Sequence, residues 1–87
     1  MIPRIRKIET MPNFKLHIEF DDGKQCIYDV SEDIKTIAAF EDLQNIPGLF
    51  EQVKLDESRT CVYWTDIIDL ASDTIYEYSM PKFKTTI

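Results

Sequence analysis

The chain has 87 residues and carries 10 Lys and Arg against 16 Asp and Glu, a formal net charge of −6. That length fits one small domain and excludes two, and a domain of this size buries roughly 60–65% of its unfolded surface, enough for one core but not for a deep cleft as well. Apolar runs of two to four residues fall far below the roughly 20 of a membrane helix, and the first residues carry no apolar block after their charges, so neither a span nor a signal peptide is expected.

Residues 5–9 read as a first strand, entered after Pro3 and turned by Met11-Pro12. In residues 13–20, Phe14, Leu16, Ile18 and Phe20 alternate with Asn13, Lys15, His17 and Glu19. A period of two makes a strand with one dry and one wet face. Asp21-Asp22-Gly23 then supplies a strong hairpin signal. The return strand, residues 24–30, puts Cys26, Tyr28 and Val30 on one side and Gln25, Ile27 and Asp29 on the other.

From residue 31 the period changes. Ser31 is placed to cap a helical turn over Glu32-Asp33-Ile34. Ile34, Ile37, Phe40 and Leu43 recur every three residues and predict a helix with one apolar stripe, ended by Pro47-Gly48. Residues 49–56 read as a strand with Val53 and Leu55 on one face, Glu57-Ser58 as a polar turn, and residues 59–64, β-branched and aromatic, as its return. Residues 65–70 read as a loop or a short extension. Ser72-Asp73 opens a final short helix containing Ile75, Tyr76 and Tyr78, which Met80-Pro81 stops.

The expected fold is therefore α+β: a small, mostly antiparallel sheet built from two hairpins and an N-terminal strand, with one central helix and one short C-terminal helix. Residues 1–80 form a single domain and residues 81–87 a basic tail, frayed or held by a partner. The charge is unevenly placed. Arg4, Arg6 and Lys7 open the chain without an acid, and Lys82 and Lys84 close it the same way. All sixteen acids lie in residues 9–80 with only five cations, a body of −11. Such a body repels phosphate and steers toward basic partners.

Chemistry-bearing residues are sparse. His17 is the single histidine and sits on the wet face of its strand, with no orienting partner at readable spacing. Cys26 and Cys61 lie 35 residues apart among hydrophobic neighbours and read as reduced core thiols of a cytoplasmic protein. One His and two distant Cys do not make a zinc site. Asp66, Asp69 and Asp73 follow one another closely but lack the Gly turn and alternating oxygen ligands of a calcium loop. No catalytic residue, metal or cofactor is assigned. Trp64, Tyr63, Tyr76 and Tyr78 are the largest aromatic concentration, which suits either a small core or an interface. Trp64, Tyr63, Asp66, Asp69 and Tyr76 are the candidate interaction surface.

The order of motifs resembles one family. Phe14-x-Leu16-x-Ile18-x-Phe20-Asp21-Asp22-Gly23, then Tyr28-Asp29-Val30, is similar to the opening of the domain-of-unknown-function 2442 family. Phe40-x-x-Leu43, Phe50-x-x-Val53, Leu55-Asp56, Val62-x-Trp64 and Asp69-Leu70-x-x-Asp73-x-x-Tyr76 continue the likeness over about residues 3–78. The resemblance implies a compact, largely bacterial α+β domain, related in fold to an NE-type N-terminal domain first seen in a nitrifying bacterium. It also implies company with tiny proteins of toxin–antitoxin-like character, and it supplies no catalytic residue. The family usually has Pro and Gly after the tryptophan, where this chain has Thr65-Asp66-Ile67-Ile68.

Three functional expectations follow. The leading one is a non-enzymatic module that binds a small basic protein or itself, as a homodimer. The first alternative is a DNA-associated accessory domain using the basic ends. The second is a small metal-binding or hydrolytic protein using His17 and the Asp66–Asp73 run.

Overall fold

The computed structural model describes residues 2–81. Strands β1 (Ile5–Met11), β2 (Lys15–Phe20) and β3 (Gln25–Asp29) form an antiparallel meander, and the two-residue strand β7 (Met80–Pro81) pairs with β3, giving the order β1-β2-β3-β7. Strands β4 (Lys54–Leu55), β5 (Cys61–Thr65) and β6 (Ile68–Ala71) form a second antiparallel sheet. Between the sheets in sequence lie helix α1 (Ser31–Thr36), a 3-10 turn over Ala38–Glu41, helix α2 (Asp42–Asn45) and a 3-10 turn over Phe50–Gln52. Helix α3 (Ser72–Tyr78) follows β6. The class is α+β, with two small sheets where the sequence suggested one.

Both sheets feed one core. Ile5, Leu16, Ile18, Phe20, Cys26 and Tyr28 come from the first sheet, and Val62, Trp64, Ile68 and Leu70 from the second. The alternation expected for residues 15–30 holds. A register shift between Ile5 and Lys7 explains the first strand. Ile5 and Ile8 are three apart, so a regular strand would point them to opposite faces. The bulge adds one residue, and Ile5 faces Phe20 while Ile8 faces Ile18.

Phe14 belongs to the β1–β2 turn rather than to a strand, with φ of 60° beside Asn13 at 65°. Left-handed backbone is costly for a bulky residue. It is offset here by the Phe14 ring, which meets Phe50 edge-on at 5.3 Å, and by the Phe14 carbonyl, which accepts the Val30 N–H at 2.9 Å.

The central helix is interrupted. An α-helix turns roughly 100° per residue, so Ile34 and Leu43, nine residues apart, would lie on opposite sides of a continuous one. A strict spacing of three cannot form one stripe over three turns. The chain breaks instead at Ile37, whose backbone is extended, and restarts as a 3-10 turn. Ile34, Phe40 and Leu43 are then all buried, while Ile37 is 43% exposed.

Two other expectations change. Only Lys54 and Leu55 of residues 49–56 are strand, because Phe50 sits in a 3-10 turn that delivers its ring to the core. Residues 65–70 contain a turn at Asp66-Ile67 and then β6. Asp66 is the one strong turn residue there, the Thr65 hydroxyl accepts the Ile67 N–H at 3.3 Å, and Ile67 at the tip is 69% exposed. Neither helix is capped by its own serine. The Ser31 hydroxyl and N–H both bond the Asp29 carboxylate, and the fully buried Ser72 donates to the Pro3 carbonyl at 2.6 Å. The basic tail after Pro81 lies outside the described residues.

Candidate interaction surface

The five candidate residues do not form one patch. Trp64 is a core residue. It is 5% exposed, its indole N–H donates to the Phe50 carbonyl at 2.8 Å, and its ring stacks on Phe50 at 5.9 Å and meets Phe40 edge-on at 6.3 Å. A tryptophan with a dry body and a satisfied N–H is a core anchor, so Trp64 leaves the surface set. Tyr63 and Asp69 stay together. They are directly opposite across β5 and β6, with Lys54 of β4 opposite Tyr63 on its other side. Asp66 lies at the exposed turn that joins those strands.

Tyr76 serves the other sheet. Its hydroxyl donates to Asp22 at 2.7 Å, its ring packs edge-on against Phe20 at 4.8 Å, and the Lys24 ammonium sits 3.9 Å above it. Lys24 also donates to the Tyr76 carbonyl at 2.9 Å. Tyr76 thus bolts α3 onto the β2–β3 turn. The Lys24 N–H and the Tyr76 hydroxyl hold the Asp22 carboxyl below its ordinary range.

The charges separate along the chain. Residues 2–37 carry six Lys and Arg against seven Asp and Glu, whereas residues 38–79 carry two against nine. In the first half, Arg6 lies 3.1 Å from Glu19, Lys7 3.3 Å from Glu9, and Lys35 3.9 Å from Glu32. Arg59, one of the two cations of the second half, is spent on the first: its guanidinium grips Asp21. Glu41, Asp42, Glu51, Asp66 and Asp69 are all exposed, and among the described residues none has a cation within 4 Å. The acidity of the body is therefore a property of the half built around the second sheet.

Sequence reasoning missed the inter-sheet role of Arg59 and Asp21, and that of Asp56. The Asp56 carboxylate accepts the N–H groups of Thr60 and Cys61 at 3.0 and 3.1 Å and the Ser58 hydroxyl at 2.9 Å, so it shapes the β4–β5 turn. An Asp followed by polar residues is the visible signal of such a turn. No local signal pairs residues 21 and 59.

The remaining chemistry-bearing residues are dispersed. His17 faces Glu9, at 3.7 Å from Nδ1, and Gln25, at 3.2 Å from Nε2. It does not touch Asp66, Asp69 or Asp73. Cys26 is buried and Cys61 half-buried, and both are free thiols. Burial pushes both thiols above their ordinary range, away from the thiolate that nucleophilic chemistry needs. Among the described residues no group of three or more His, Cys, Asp or Glu is arranged to hold a metal ion, and no helix is long and apolar enough to cross a membrane.

A family model described as a protein of unknown function, DUF2442, matches residues 5–81. The chain belongs to the DUF2442 family. The match spans all seven strands and three helices, so this DUF2442 domain is the two-sheet unit described above. No curated protein and no solved structure matches the chain.

Proposed function

We propose that this DUF2442 protein is a non-enzymatic, cytoplasmic interaction module that binds a basic partner protein through the half built around its second sheet. One observation carries the reading. That half presents Glu41, Asp42, Glu51, Asp66 and Asp69 exposed and, among the described residues, without a cation within 4 Å, while the acids of the first sheet are largely satisfied internally. Exposed carboxylates raise the encounter rate with a cationic surface and discriminate against anionic ones. Tyr63, opposite Asp69, supplies an aromatic contact of the kind enriched at interfaces. The toxin–antitoxin-like company implied by the resemblance places small basic proteins among the partners to try first.

The DNA-associated reading has less support. Arg6 and Lys7 already face carboxylates, so two of the three N-terminal cations are partly neutralised before any phosphate arrives.

The test begins with affinity capture from the cells that express the protein, followed by reconstitution from purified components. The captured protein should be basic. Its binding should weaken with salt and fail with the double variant Asp66→Lys/Asp69→Lys. Capture of nothing, or binding indifferent to that charge reversal, rejects the proposal.

A further inference from the structure

The free edge of the first sheet carries a second surface, independent of the acidic half. Strand β1 is the outermost strand and, among the described residues, pairs only with β2. Its open edge has defined ends. At one end the Ile5 N–H is given to the Arg59 carbonyl at 2.8 Å, so the β4–β5 hairpin closes the edge there. At the other end Pro12 takes the chain into the turn. Between them, residues 7–11 present backbone groups with no strand partner among the described residues. Such an edge is a template for another strand.

The side chains on this edge select their own sequence. In an antiparallel pair of two β1 strands centred on Ile8, Lys7 of each copy stands opposite Glu9 of the other, and Ile8 stands opposite Ile8. Lys7 and Glu9 share the outer face, where they already lie 3.3 Å apart within one chain. They are 65% and 50% exposed, free to exchange partners. Half-buried Ile8, on the core side, packs against the core at the edge, and a second Ile8 would extend that core. Neighbouring registers lose the match. Centring on Lys7 or on Glu9 sets like charges face to face, which is destabilising. A shift by one residue sets Ile8 against Glu9. In this register Lys7 to Glu9 of the two copies face each other, and Met11 of each falls opposite Ile5 of the other, where the Arg59 hairpin closes the edge and ends the pairing.

We infer that two copies of this chain associate through antiparallel β1–β1 pairing in the Ile8-centred register, forming one continuous sheet across a twofold axis. Main-chain hydrogen bonds supply the attraction, and the two Lys7–Glu9 pairs fix the register. An edge-strand contact is smaller than the about 1,600 Å² of a standard interface, so the dimer belongs to the weak class.

Sedimentation equilibrium from about 10 µM to 1 mM, a range suited to a weak complex, tests the inference. The protein is expected to show a concentration-dependent monomer–dimer equilibrium. Glu9→Lys and Lys7→Glu, each setting like charges opposite one another twice, should weaken association about tenfold or more. The double variant Lys7→Glu/Glu9→Lys should restore it. Both sites are exposed, and circular dichroism confirms that each variant is folded. Hydrogen exchange at residues 7–11 should slow as concentration rises. A monomer throughout this range, or a dimer whose affinity ignores the single reversals, overturns the inference. Neither result bears on capture of a basic partner by the acidic half.

Discussion

Arg59 holds Asp21 with both arms of its guanidinium, at 2.7 and 2.8 Å, and joins two sheets whose strands never pair with each other. The same residue is stitched to Ile5 at both ends: its carbonyl accepts the Ile5 N–H, and its Nη1 donates to the Ile5 carbonyl at 3.2 Å. Its φ of 61° is the left-handed conformation that turns the hairpin toward the first sheet. This clasp keeps the Asp21 carboxyl below its ordinary range.

Replacing the fork therefore matters more than replacing the charge. Arg59→Lys keeps the cation but loses bidentate geometry, and the melting temperature is expected to fall by a few degrees. Arg59→Ala should fall further. The difference between wild type and Arg59→Ala should shrink in about 1 M salt, because both partners are about 40% exposed and open to screening. Thermal melts at two salt concentrations check this. Equal melting temperatures for all three proteins count against the clasp.

Trp64 is expected to behave as a core residue in every assay. Trp64→Phe keeps the stacking but strands the Phe50 carbonyl, at a cost of about 1–3 kcal/mol. Trp64→Ala also leaves a cavity, at about 3–5 kcal/mol. Urea unfolding followed by far-ultraviolet circular dichroism gives both values, and native fluorescence should be blue-shifted. A red-shifted emission, or a neutral Trp64→Ala, contradicts the assignment.

Ile34 and Ile37 are equivalent by spacing but not by structure. Ile34 is 7% exposed and Ile37 43%. Ile34→Ala should cost about 2–4 kcal/mol, and Ile37→Ala less than about 1 kcal/mol. Equal costs in urea unfolding would point to a continuous helix instead of the observed break.

Stability should fall toward both extremes of pH. Hydrogen bonds from Arg59 to Asp21, from the Lys24 N–H to Asp22, and from the Ser31 and Ser58 hydroxyls to Asp29 and Asp56 hold these carboxyls below their ordinary range. The unfolded chain then binds more protons than the native one in acid. Their contribution is present above the unfolded carboxylate value of about 3.9 and is lost as pH falls through the folded values. Burial raises the Tyr28 phenol, and the hydrogen bond to Asp22 raises that of Tyr76. Their contribution is present below about pH 10 and is lost as pH rises toward the folded values. Urea midpoints across the pH range check both limbs. Asp29→Asn should flatten the acid limb, and an unchanged slope there would remove Asp29 from the account.

The α+β class, the first hairpin and the buried faces of β2 and β3 are legible in the sequence because their cause is local. A strict alternation allows one arrangement of faces, and Asp-Gly closes the turn between them. Family membership is legible for the same reason, since it rests on motifs in fixed order. Tertiary structure alone decided where the long-range contacts fall. The two-sheet division, the broken helix and the burial of Trp64 depend on packing between segments that carry no mark of each other. The placement of charge depends on it most. The excess of acids is plain in the sequence, but pairing Asp21 with Arg59, 38 residues away, and Asp22 with Tyr76, 54 away, leaves the carboxylates that lack a cation among the described residues concentrated in residues 38–79. Coulomb and hydrogen-bond energies depend on distance in space, which only the folded chain defines.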